Sequence, residues 1–131
     1  MKVICKTSVL CEAALNVQKA VVTKTSMPVL EGILIKTQEN GLKMTGYDLE
    51  IGISTVIEAN VVEEGTVIIN ARTFCDIIKH IPYEDVILEV DDKLQCKIYC
   101  GDIEYFMTGI NPKHMPTLLM IWKAMAEATP T

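Results

Sequence analysis

The apolar residues of this 131-residue chain change their spacing twice, in the same order, and that alternation constrains the fold more than anything else in the sequence. Apolar residues at every second position read as strand, and a three-to-four spacing reads as amphipathic helix. Residues 2–6 (KVICK) alternate. Thr7 and Ser8 then offer a helix N-cap, with Glu12 placed to favour the first turn, and Val9–Val22 carries the stripe Leu10, Ala13, Ala14, Val17 and Val21. Glu12, Asn16, Lys19 and Thr23 form its polar face, and Pro28 keeps the helix from resuming. Strands follow at Val29–Thr37, at Leu42–Tyr47 after the hairpin signal Asn40-Gly41, and at Ile51–Ala59. Glu63-Glu64-Gly65 turns the chain, and the order begins again. Thr66–Ile69 is a short strand, Asn70 an N-cap, and Ala71–Ile81 a helix that buries Phe74, Ile77, Ile78 and Ile81 before Pro82 stops it. Val86–Val90, Lys93–Cys100 and Ile103–Thr108 are three further strands, separated by turns at Asp91-Asp92 and Gly101-Asp102. The chain thus reads β-α-β-β-β twice. Such a sequence of elements predicts an α+β domain with two helices packed on one side of antiparallel sheets.

Several chemistries are excluded by what is missing. Half of the residues are apolar, enough for one core, yet no stretch reaches the ~18 residues that would span a bilayer. The N-terminus alternates after Lys2 and does not resemble a signal peptide, so a soluble, cytoplasmic protein is expected. The five cysteines (Cys5, Cys11, Cys75, Cys96, Cys100) contain no C-x-x-C pair, and His80 and His114 sit far from any pair, so no zinc site is expected. Cys96 and Cys100, four apart on a strand, would be roughly 13 Å from each other, too far for a disulfide. They read as small buried hydrophobes in a reducing compartment. No glycine-rich phosphate loop is present. Asp48 and Glu50 would share a strand face, but no histidine, nucleophile or metal ligand accompanies them. No catalytic residue, metal or cofactor is predicted.

The charge is unevenly placed. The chain has 12 Lys and Arg against 17 Asp and Glu, a net −5, which as a bulk property argues against nucleic acid. The helical segments 6–24 and 71–81 invert that balance, with Lys6, Lys19, Lys24, Arg72 and Lys79 against only Glu12 and Asp76. Arg72 and Lys79 are seven apart and point the same way from one helix. A basic helix layer over an acidic sheet layer suits a protein that holds DNA through phosphates without reading bases. The plainer reading is a solvated helix face with Arg72 and Asp76 as an i,i+4 pair worth a few tenths of a kcal/mol.

Three stretches add a resemblance. M-P-V-L-E-G-I-L-I (27–35), L-K-M-T-G-Y-D-L-E-I (42–51) and I-N-A-R-T-F-C-D-I-I-K-H-I-P (69–82) are similar to the N-terminal domain of the bacterial sliding clamps, the beta subunits of DNA polymerase III. The likeness covers roughly residues 1–116. Residues 117–131 (T-L-L-M-I-W-K-A-M-A-E-A-T-P-T) form an atypical tail. The resemblance implies a domain of a three-domain subunit, two subunits closing into a ring whose helices face double-stranded DNA, and no chemistry. It implies DNA contacts at Lys24, Arg72 and Lys79, to which the polar face of the first helix adds Lys19. It also implies a subunit interface at Thr73, Ile77, Tyr105 and Met107, although Asp102 and Glu104 stand where some relatives carry basic residues. Polymerase and clamp loader would bind through domains not in this chain.

Two readings therefore stand from the sequence. One is a DNA-tethering processivity factor, here its N-terminal domain, acting in the cytoplasm on the nucleoid. The other is a small acidic interaction module that pairs through sheet edges without a nucleic-acid role. A lone domain of either kind leaves unpaired strand edges, so self-association through 103–108 is expected.

Overall fold

The computed structural model describes residues 1–21, 31–47 and 52–110. Its elements run β1 (Lys2–Lys6), α1 (Thr7–Gln18), β2 (Gly32–Gln38), β3 (Gly41–Tyr47), β4 (Gly52–Glu58), β5 (Asn60–Glu63), β6 (Thr66–Asn70), α2 (Ala71–Lys79), β7 (Asp85–Val90), β8 (Gln95–Cys100) and β9 (Ile103–Thr108). The doubled β-α-β-β-β order is present, with β5 inserted between the halves. The sequence reading ended a strand at Ala59 and placed a turn at Glu63-Glu64-Gly65, leaving residues 60–62 unassigned. β5 is four residues, two of them polar, and pairs only with β1, so alternation alone does not mark it.

The two halves exchange their first strands. One sheet has the order β5-β1-β7-β8-β9 and the other β4-β3-β2-β6. β1, from the first half, lies against β7 of the second, with Val3 opposite Leu88 and Cys5 opposite Val86. β6, from the second half, lies against β2 of the first, with Ile33 opposite Ile69. Each helix therefore crosses from one sheet to the other, and both helices pack on the same side. Leu10, Ala13, Ala14 and Val17 of α1 and Phe74, Cys75 and Ile78 of α2 are buried in one core with inward residues of both sheets. The exchange makes the halves one cooperative unit, because neither sheet is complete without the other half.

Local chemistry sets the turns. Asn40, ahead of Gly41, takes φ 56°, the left-handed conformation asparagine tolerates. In the β7–β8 turn, Asp91 Oδ1 accepts from the Lys93 and Gln95 N–H groups, both at 2.9 Å. Asn70 caps α2 as expected, its Oδ1 accepting from the Thr73 N–H at 3.0 Å.

The start of α1 differs from expectation. Thr7 is the first helical residue, not the cap; Lys6 holds the cap position and supplies no side-chain hydrogen bond. The Thr7 N–H donates instead to the Glu84 carbonyl at 2.8 Å, across the molecule. Its buried hydroxyl has no hydrogen-bond partner among the described residues, a loss of about 1–3 kcal/mol. Starting at Thr7 also moves Glu12 out of the first turn, and the helix ends at Gln18 rather than Val22. Among the described residues no helix is long and apolar enough to cross a membrane.

Candidate nucleic-acid interface

The helix layer presents the cations that the sequence singles out, in part. Arg72, two residues after the Asn70 cap, and Lys79, at the end of α2, are both exposed. Two turns separate them, about 10 Å along the axis on one face. Lys19 is the exposed C-cap residue of α1. None of the three forms an ion pair with a described residue; in particular Arg72 and Asp76 do not pair. Lys24 lies outside the described residues.

The helices run antiparallel, which fixes where these cations stand. A groove of about 490 Å³ is lined by Thr7, Ser8 and Cys11 of α1 and by Ile78 and Lys79 of α2, so the first turn of α1 sits beside the last turn of α2. Lys79 therefore marks one end of the helix pair. Arg72 lies at the other end, toward which α1 runs before Lys19 closes it. The three cations spread along the layer instead of clustering at a point, a pattern suited to a linear polyanion.

Lys6 is a correction. Counted with the helix layer in the sequence, it belongs to β1, and its Nζ lies 3.1 Å from Glu84 Oε1 and 3.3 Å from Asp85 Oδ1. Both carboxylates hold its pKa above the usual lysine value, hydrogen bonds first and charge second. Its partners are 78 and 79 residues away in sequence, which is why no local pattern reveals them.

The outer face of the five-stranded sheet is the opposite case, because its charges are already matched. Lys2 Nζ stands 3.7 Å from Glu89 Oε1, and Lys97 Nζ stands 3.3 Å from Glu104 Oε1. The Tyr99 hydroxyl donates to Glu89 Oε1 at 2.9 Å, and Lys97 lies 4.5 Å from the Tyr99 ring centre. Asp102 accepts from the Tyr83 hydroxyl at 2.9 Å. The acid-rich layer is thus cross-linked within itself, while the helix-side cations are not.

The four expected interface residues lie on α2 and β9. Thr73 is exposed; Ile77, Tyr105 and Met107 are half-buried and pack at the border of the same core. Among the described strands β9 is an edge strand, paired with β8. Sequence reasoning missed Phe106, which faces outward from that edge and is 58% exposed, the largest exposure of any big apolar side chain described. Its signal was available, since a residue between inward Tyr105 and inward Met107 must point out.

No three His, Cys, Asp or Glu side chains converge as a metal site among the described residues. Burial pushes the thiols of Cys5, Cys75 and Cys96 up to about 11, so they are protonated core residues and not nucleophiles.

Comparison with known proteins agrees with this geometry. The pattern of the family described as DNA polymerase III beta subunit, N-terminal domain, matches residues 1–119. The beta sliding clamp of Staphylococcus aureus (strain Mu50) is 35% identical over 108 residues, 76% of this chain and 29% of its own. That of Halalkalibacterium halodurans is 31% identical over 111 residues, 79% of this chain and 29% of its own. The crystal structure of the DNA polymerase sliding clamp from Bacillus subtilis superposes with a TM-score of 0.84 at 29% identity, covering 88% of this chain and 33% of that one. The chain thus spans about three-tenths of the length of the curated relatives it matches. With its exchanged sheets, its single helix layer and a family match over nearly its whole length, the chain belongs to the DNA polymerase III beta subunit family, through that family's N-terminal domain.

Proposed function

We propose that this chain is the DNA-facing first domain of a sliding clamp that keeps a replicative polymerase on its template in the bacterial cytoplasm. Its helix layer lies against duplex DNA. Lys19, Lys24, Arg72 and Lys79 meet phosphates without reading bases. Thr73, Ile77, Tyr105 and Met107 meet a second clamp-type domain in a closed ring. Polymerase and loader bind elsewhere on the whole assembly, and no reaction is catalysed. One observation carries this reading: the helix-side cations Lys19, Arg72 and Lys79 are exposed and unpaired by described residues, while most described lysines of the five-stranded sheet are matched to carboxylates.

Phosphate binding of this kind has a salt signature. Four contacts predict a slope of log K against log salt of about −3.6, or roughly a hundredfold loss between 50 and 200 mM. Fluorescence anisotropy with two duplexes of unrelated sequence measures it; equal affinities with that slope are expected. A slope near zero would favour the interaction module without a DNA role.

The β9 edge gives the second expectation. Light scattering over a concentration series should show self-association of the chain, weakened by Met107→Lys. A strict monomer at all concentrations would remove β9 from the interface.

A further inference from the structure

The first turn of α1 leaves several hydrogen-bond donors unused around one groove. The first N–H groups of any helix have no acceptor within the helix. Here the Thr7 N–H is taken by the Glu84 carbonyl. The Ser8 and Val9 N–H groups receive no such help, because Lys6 supplies no side-chain cap and the first turn holds no acidic residue. Both residues are exposed. The Thr7 hydroxyl is a further orphan, a buried side-chain donor with no hydrogen-bond partner among the described residues. Thr7 is 8% exposed and belongs to the wall of the groove of about 490 Å³ between the start of α1 and the end of α2. Ser8 and Lys79 line the same groove, and Lys79 forms no ion pair with a described residue.

The charges at the groove favour an anion. Glu84 is the only carboxylate among the described lining residues, and Lys6 already holds it at 3.1 Å. The C-terminal end of α2, whose dipole would repel an anion, is closed off. The Ile77 and Ile78 carbonyls accept from the His80 and Ile81 N–H groups, and His80 Nδ1 lies 2.6 Å from the Asp76 carbonyl oxygen. What remains is the Lys79 ammonium, two backbone N–H groups and the hydroxyls of Thr7 and Ser8. We propose that this groove is a phosphate-group site. The phosphate accepts from the Ser8 and Val9 N–H groups and from the two hydroxyls, and Lys79 balances its charge. The organic part of a phosphate ester then lies against Ile81 and Pro82, which form the apolar side of the groove. A buried donor left without a protein partner is accounted for when a ligand takes it up. The phosphate of a DNA backbone and that of a free ester present the same oxygens, and titration separates them. Lys79 is shared with the DNA reading, but the start of α1 is not, so the site stands or falls on its own.

Proton–nitrogen correlation spectra of the full chain, titrated with inorganic phosphate and separately with a short duplex, test the site without any variant. Saturable shifts of the Ser8 and Val9 amides are expected with phosphate and not with chloride at the same ionic strength. Thr7→Val keeps the branched shape and removes the orphan hydroxyl. Its Tm should be no lower than that of the unaltered chain, while its phosphate affinity falls several-fold. Lys79→Gln should weaken phosphate binding several-fold, and Arg72→Gln, at the other end of the helix pair, should not. If the duplex moves the same two amides at far lower concentration than phosphate does, the bound group is a backbone phosphate. If phosphate alone moves them, the groove takes a free phosphate ester. Either result supports the site. Amides of Ser8 and Val9 that stay in place under both titrants, or a Thr7→Val variant that binds phosphate like the unaltered chain, would overturn it. Duplex binding with the expected salt slope but with those amides unmoved would remove this site and leave the DNA reading standing.

Discussion

Gly46→Ala is expected to destabilise the domain by about 2–3 kcal/mol and to lower its Tm by roughly 10 °C. Gly46 lies on β3, on the face turned to α1. A Cβ placed there would stand 2.5 Å from the Val17 carbonyl oxygen and 2.8 Å from Val17 Cγ1. The first of these is backbone near the end of α1, which has no side-chain rotamer to give way. The helix must lift from the sheet or the strand must bend, and either opens the packing of Val17 and Met44, both fully buried. Gly41 supplies the control on the same strand. A Cβ there meets its nearest atom, the Ile57 carbonyl oxygen, at 3.2 Å, so a small adjustment suffices and Gly41→Ala should cost less. Urea and thermal unfolding of the two variants measure the difference. Equal Tm values for Gly46→Ala and the unaltered chain would mean that α1 does not approach the sheet here.

Gly46 also shows what the sequence does and does not disclose. The T-G-Y-D run is part of the resemblance to sliding clamps, but nothing local says why glycine stands there; the reason is a helix turn contributed from 29 residues earlier. Local devices were legible because their partners are local. Asn40-Gly41 turns, Asn70 caps, and both amphipathic stripes bury most of the residues that their spacing indicates, with Val21 and Ile77 only half-buried. Pairings between distant segments were not. Periodicity identifies a strand face but not its neighbour, so the exchange of β1 and β6 between the halves is invisible, as is the capture of Lys6 by Glu84 and Asp85. In the candidate site, Lys19, Arg72 and Lys79 stand exposed on or at the end of the two helices, while Lys6, counted with them in the sequence, belongs to β1.

Neutralising the helix-side cations should separate DNA binding from everything else that the domain does. Arg72→Gln with Lys79→Gln removes two of four proposed phosphate contacts, so the salt slope should shrink by about 1.8, to roughly half. Reversal to Glu at both positions places two carboxylates among phosphates and should abolish measurable binding at 150 mM salt. Neither change threatens the fold: both side chains are exposed and engage no described carboxylate. The control is Lys97→Gln on the outer face. Lys97 is equally cationic but already held by Glu104 and the Tyr99 ring, and it points away from the helix layer. A general electrostatic attraction between a protein and DNA would weaken for all three lysine and arginine variants alike. Contact through the helix layer predicts that Lys97→Gln leaves the slope intact while Arg72 and Lys79 each lower it by about 0.9. Anisotropy titrations across salt, with circular dichroism to verify folding, decide between these outcomes. An unchanged slope in the Arg72 and Lys79 variants would move the DNA off this face and leave their exposure a property of an ordinary solvated helix.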